Sequence, residues 1–250
     1  MFDSEYNLMY LAEEKHWWYV GIRSLLLNCI KILLPNKGKI LDAGCGTGKN
    51  AQVMLGNGFN VYGLDLSEEA LAFSKKRQIK NLTKGSILNL PFKNNSFDLI
   101  YSIDSITVLN EDETQICLNE FYRCIKGNGY LLLNVAAFQW LYSKHDIACN
   151  ITRRYTKREI VKLVENTGFK IMKSQYRVFF LFPLIVISRF IDKFSVKKDY
   201  SEALVKGDLE KTNWFVNLFF GYLMSLENFL LRYINLPFGS SIFIVAKKAN

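Results

Sequence analysis

The residues best suited to chemistry lie in one stretch, Lys39-Ile-Leu-Asp-Ala-Gly-Cys-Gly-Thr-Gly48. An apolar pair, Ile40 and Leu41, runs into an acid, Asp42, and three glycines follow at alternate positions, Gly44, Gly46 and Gly48. Glycine adopts φ > 0 and lets backbone approach a ligand at no steric cost. In doubly wound sheets, ligands bind outside the carboxyl ends of the strands. This loop is therefore the expected cofactor site. A phosphate-cradling P-loop requires G-x-x-x-x-G-K-[ST]. Gly48-Lys49 is present, but Ala43 and Asn50 stand at the other two anchor positions. A dinucleotide fingerprint, G-x-G-x-x-G, accommodates Gly44 and Gly46 but puts Lys49 where the helix must pack closely on the strand. Taken alone, the loop also suits a glycine turn that holds nothing. A second acid sharpens the choice: Asn60 to Asp65 reads as a short strand ending in Asp65, 19 residues beyond Gly46. A carboxylate there can accept both hydroxyls of a ribose.

The run Asp42–Gly48, the acid Asp65, the segment Gly85-Ser-Ile-Leu-Asn-Leu-Pro-Phe92 and the segment Ser96-Phe-Asp-Leu-Ile100 occur in that order. Together they resemble the ordered motifs of the class I S-adenosylmethionine (SAM)-dependent methyltransferases, over residues 36–178. The resemblance implies an α/β, doubly wound, Rossmann-like sheet of seven strands with the last antiparallel. It implies SAM as cofactor, held by Asp42, Gly44, Cys45, Gly46 and Asp65, with Leu66, Ser86, Ile87 and Ser102 alongside, and no metal. Ser86 replaces the family's usual acid at the adenine amino group, although a hydroxyl can still accept a hydrogen bond. Ser102-Ile-Asp-Ser105 is expected to face the methionine end of SAM. Thr107-Val-Leu-Asn110 replaces the family's V-L-E-H, so a histidine found in relatives is Asn110 here.

The flanking elements must position these residues. Residues 3–34 are helical by the spacing of Leu8, Leu11 and Ala12 and of Ile22, Leu25, Leu26, Ile30 and Leu33. Between the two helices, His16-Trp-Trp-Tyr-Val-Gly-Ile-Arg23 resembles the opening of a bacterial subset of the family, whose N-terminal helix covers the SAM pocket. The resemblance makes Arg23 a partner for the SAM carboxylate. The aromatics also suit plain packing on the core. Strands are expected at Phe97–Ile103, Tyr130–Ala136 and Phe169–Val178, and from Ser241 as the last. Arg123–Gly129 resembles the family's turn before strand five. Ser67 reads as a helix N-cap, and Thr156 with Glu159 as a capping box. The chain divides into a helical cap (1–35), a SAM-binding core (36–178), a helical insertion (179–236) and a final strand (237–250).

After strand five, Phe138–Asp146 and Thr152–Tyr155 resemble acceptor-pocket runs of the same subset. Trp140 and Tyr142 are expected to wall that pocket. His145 is the candidate general base, since neutral imidazole titrates near working pH and Asp146 could orient it.

Five cysteines without a C-x-x-C spacing argue against a zinc site or disulfide framework and for a reducing, cytoplasmic setting. The acidic N-terminus has no signal-peptide pattern. Residues 1–150 carry 15 Lys/Arg and 15 Asp/Glu, whereas residues 151–250 carry 17 and 8 and so hold the whole net charge of +9. A basic, aromatic half suits an anionic partner, including a membrane surface. Residues 179–236, with Lys193, Lys197, Lys198, Lys206 and Lys211, are expected to form a lid that touches a membrane without spanning it.

The expected function is transfer of a methyl group to an O or N atom of a small, lipophilic or lipid-linked acceptor. Two other readings stay open: a SAM-binding partner subunit without turnover, suggested by Ser86 and Asn110, and a nucleic-acid methyltransferase, suggested by the basic half. No Asn-Pro-Pro-aromatic element follows strand four, so nucleic acid is the less favoured partner.

Overall fold

The computed structural model describes residues 3–195 and 213–249, with side chains for all of these but 3–5, 145 and 192–195. The lysines expected to make the insertion basic, Lys193, Lys197, Lys198, Lys206 and Lys211, lie outside the described side chains.

Seven strands form one sheet: β1 (Lys39–Ala43), β2 (Asn60–Asp65), β3 (Leu82–Lys84), β4 (Phe97–Ile103), β5 (Ile125–Ala136), β6 (Phe169–Arg177) and β7 (Ser241–Lys248). Their order is β3-β2-β1-β4-β5-β7-β6. The first five are parallel, and β7 runs antiparallel between β5 and β6. This is the Rossmann-like methyltransferase fold that the sequence motifs imply.

The period-two alternation of the strands builds two cores. Ile40, Val61, Leu99, Tyr101 and Leu132 point to one face, where α2 (Trp17–Leu33) and α3 (Lys49–Gly56) pack through Ile22, Leu26, Ile30 and Met54. Leu41, Leu64, Ile100, Leu131 and Leu133 point to the other, against α5 (Glu111–Cys124) and α7 (Lys157–Asn166) through Leu118, Phe121, Ile160 and Val164. Helix α1 (Asp3–Lys15) precedes α2, and α4 (Glu68–Lys76) follows β2. The remaining helices are α6 (Lys144–Ala148), α8 (Phe182–Ser195) and α9 (Trp214–Leu230).

Local chemistry sets the helix starts. Ser67 Oγ accepts from Ala70 N, and Thr156 and Glu159 form the expected capping box. Asn110, the family's histidine position, forms a second capping box with Glu113 at the start of α5. That gives the substitution a structural role.

Two elements differ from the sequence expectation. His16 alone separates α1 from α2: it is the N-cap of α2, and Trp17–Arg23 are already helical. The expected turn Arg123–Gly129 is absent as such, because β5 begins at Ile125 directly after α5. The extra length is taken up on β5, where Ile125 pairs with Phe97 and Tyr130 with Leu99, Asn128 takes a φ of 63° and Lys126 pairs with Asp98.

Candidate active site

The strand order reverses between β1 and β4, so their carboxyl ends leave a crevice. A cavity of about 1060 Å³ opens there. Ligand pockets span roughly 300–1,000 Å³, so this volume equals that of two or more pockets of the smaller kind.

The loop after β1 forms one wall. Gly44 and Gly46 have φ of 81° and 53°. A Cβ on Gly44 would lie 2.1 Å from Ser105 Oγ, and one on Gly46 would lie 2.8 Å from Met9 Cε. A side chain at Gly44 would force Ser105 to move, and one at Gly46 would displace the Met9 methyl and hold a strained positive φ. Gly44, Cys45 and Gly46 line the cavity together with Asp42, Asp65, Leu66, Ser86 and Ile87. Asp65 is fixed in direction: Gly46 N donates to one carboxylate oxygen at 2.8 Å and Ser67 N to the other at 2.9 Å. Ser86 Oγ accepts from Leu88 N at 3.1 Å, which leaves its hydroxyl proton for another partner. The sequence gathers these eight positions from three strand ends, and the fold brings them to one wall.

Two expected residues fall elsewhere. Ser102 is fully buried and off the cavity wall, because strand alternation turns it with Ile100 toward the α5 face. Its Oγ has no partner among the described residues. Arg23 is also off the wall. It lies beyond the first turn of α2, and its Nη2 donates to the Glu13 carbonyl at 2.9 Å, tying α2 to α1. The cavity-facing residues of that region are instead His16, Trp17, Trp18 and Tyr19, at the start of α2.

Helix α1 closes the cofactor end through Tyr6, Met9 and Glu13. Arg77, at the end of α4, holds it there. Its Nε donates to Thr47 O and its Nη2 to Tyr10 O, both at 2.9 Å, and the guanidinium pairs with Glu13 and Glu14. Lys49 also pairs with Glu14, at 2.6 Å. Burial pushes the Glu13 carboxyl up to about 7 despite a hydrogen bond from Thr47 and the charge of Arg77. Burial likewise pushes Asp42 up to about 8, while Tyr101 Oη donates to it at 2.8 Å.

Sequence reasoning missed Glu13 and Met9, since nothing in their spacing marks them as more than helix face. It placed Asp104 only inside a motif. Asp104 sits on the wall at the end of β4 with φ of 56° and accepts from Asn134 Nδ2 at 2.9 Å. Burial pushes it up to about 6. The αL conformation of a short acid at a strand end is tolerated, and such outliers cluster at functional sites.

The far end of the cavity is walled by Leu109, Ala136, Ile151, Arg154, Ile185 and Arg189. Arg154 is bound to Asp146 at 2.8 and 3.1 Å and to Ala137 O at 3.0 Å. Asp146 turns to Arg154 and to Ser143 N; its expected pairing with His145 involves a side chain outside the described ones. Trp140 and Tyr142 are not on the wall; Trp140 stacks on Phe138 outside it. The backbone of His145 lies in α6, just before the cavity residues Cys149 and Asn150, and its side chain lies outside the described ones.

Residues 41–133 match the methyltransferase domain family. An uncharacterized protein of Methanocaldococcus jannaschii is 34% identical over 67% of this chain and 75% of its own length. A malonyl-[acyl-carrier protein] O-methyltransferase of Pectobacterium atrosepticum is 35% identical over 37% of this chain and 36% of its own length. Among solved structures, a SAM-dependent methyltransferase of Thermotoga maritima, described as a possible histamine N-methyltransferase, superposes with a TM-score of 0.60 at 20% identity. That match covers 98% of this chain and 95% of the other.

Proposed function

This chain belongs to the class I SAM-dependent methyltransferase family, and from that premise we propose that it methylates an O or N atom of a small, lipophilic or lipid-linked acceptor. The observation that carries this is the continuous cavity of about 1060 Å³, with acids and glycine loop at one end and Leu109, Ala136, Ile151 and Ile185 beside Arg154 and Arg189 at the other.

SAM supplies a methyl group on a sulfonium, an activated leaving group. At the cofactor end, Asp65 takes the ribose hydroxyls with its carboxylate held by two backbone N–H groups. Gly44 and Gly46 let backbone approach, Asp42 and Cys45 form the floor, and Leu66, Ser86 and Ile87 border the adenine. The raised carboxyls of Asp42 and Glu13 suit a ligand of net positive charge, which draws them into their ionised forms. Alignment of methyl and acceptor, with α1 excluding water, is the protein's main contribution; such positioning is worth about 7–11 kcal/mol.

At the acceptor end, Leu109, Ala136 and Ile185 favour an apolar body. His145, on the segment after β5, is the general base for an acceptor that must lose a proton. The test is transfer of labelled methyl from SAM into a fractionated extract. Label in the lipid or small-molecule fraction supports the proposal; label confined to nucleic acid or protein contradicts it.

A further inference from the structure

Helices α8 and α9 are built inside out. On α9, Phe215, Phe219, Tyr222, Leu226, Phe229 and Tyr233, just past its end, recur at intervals of three and four and so share one face. That face points to solvent: Phe215 is 72% exposed and Tyr222 68%. The opposite face, against the protein, carries the polar residues. Asn217 accepts from Trp17 N and donates to Lys15 O, Asn228 donates to Gly21 O, and Glu227, fully buried, accepts from Val178, Phe179 and Phe180 N. Helix α8 repeats the pattern, with Leu184, Ile187 and Ile191 outward and Arg189 inward on the cavity wall.

A contiguous apolar face of this size marks an interaction site. Charge selects the partner. Over residues 213–240 and 179–191, the exposed side chains include no carboxylate, and Arg232 is the one exposed charge. Lys173 adds a second cation at the same end, its ammonium donating to Leu231 O. Aromatics between an apolar surface and flanking cations complement the acyl, headgroup and phosphate layers of a lipid interface in turn. No helix of the described residues is long and apolar enough to cross a membrane.

We propose that the outward faces of α8 and α9 seat this protein in the interface of a phospholipid bilayer. The drive is aromatic insertion rather than charge. Residues 179–236 carry seven Lys/Arg against six Asp/Glu, whereas the basic excess sits in residues 151–178, with eight against two. This corrects the sequence expectation of a basic insertion. The seated surface is continuous with the cavity through α8, whose Ile185 and Arg189 line it, so an acceptor dissolved in the bilayer would reach the site without crossing water.

The test is flotation of the full chain with vesicles of pure phosphatidylcholine and of phosphatidylcholine with phosphatidylglycerol, in low and high salt. The wild type should float with both, with no more than about a threefold change across the salt range, since screening acts on charge and leaves apolar insertion intact. The variant Phe215→Ser/Phe219→Ser/Phe229→Ser should lose about tenfold or more in vesicle affinity, with an unchanged melting curve, because all three side chains are outside the core. Asp65→Ala should float like wild type, which separates this proposal from the assignment of methyl transfer. Failure to float with either vesicle overturns it. So does flotation abolished by high salt, which would assign binding to residues 151–178. A stable dimer that the triple variant dissociates, with no vesicle binding, would give the face to a second copy of the chain.

Discussion

At the scale of single residues, Glu13 links the site to pH. Its carboxyl is pushed by burial from 4.5 to about 7. Below pH 4.5 it is protonated in the native and unfolded states alike. Between 4.5 and 7 the native state keeps a proton that the unfolded state has lost, so stability falls as pH rises, and above 7 the loss is complete. Asp42, raised to about 8, acts with the same sign. Urea unfolding without SAM should therefore show lower stability at pH 8 than at pH 5. Glu13→Gln should remove about 3 kcal/mol of that difference, at 1.36 kcal/mol per pH unit. An equally steep pH dependence in the variant would contradict the assignment.

The base is the second question at this scale. His145→Ala should cut turnover by ~10²–10⁴ and leave SAM affinity near wild type, with wild-type turnover rising through the imidazole range. A variant that keeps most of its activity moves the role to Asp104, on the cavity wall with a carboxyl near 6. Asp104→Asn, assayed across pH 5–8, is then the deciding measurement.

At the scale of elements, the two inverted helices depend on buried polar bonds. Glu227 accepts three backbone N–H groups at the end of β6 and lies close to the buried guanidinium of Arg177. Removing it strands those donors and leaves Arg177 only the more weakly acting carboxylate of Asp104. Glu227→Ala should destabilise the fold by about 3–5 kcal/mol, read from urea midpoints at constant slope. A loss below about 1 kcal/mol, the range of an exposed ion pair, would show that the bonds of Glu227 add little to holding α9.

The core helices and strands were legible because hydrophobic period, caps and glycine stops agree. The inversion of α9 was not. The sequence marked residues 179–236 only as a segment that touches a membrane, because periodicity tells which residues share a side without telling which way that side points. The same limit hid Ser102, whose strand face depends on register. Arg23 lies off the cavity wall for a related reason: its type suits a carboxylate, but α2 begins at Trp17 and carries it beyond the lining residues.

At the scale of the molecule, four ordered motifs between Asp42 and Ile100 carried the resemblance that implied a seven-stranded sheet; three follow strand ends and Ser96–Ile100 opens β4. The acceptor end was less legible. It is assembled from the start of α2, the segment after β5 and α8, which are far apart in sequence, and only their docking reveals Arg154, Ile185 and Arg189 as neighbours.

Everything rests on SAM occupying the wall formed by Gly44, Gly46 and Asp65. Isothermal titration of the wild type and of Asp65→Ala with SAM and S-adenosylhomocysteine tests this most directly. The wild type should bind both, and Asp65→Ala should lose roughly 1.5–3 kcal/mol, the scale of hydrogen bonds to a charged group. Wild-type protein that binds NAD and not SAM, or an Asp65→Ala variant with wild-type affinity, would contradict it.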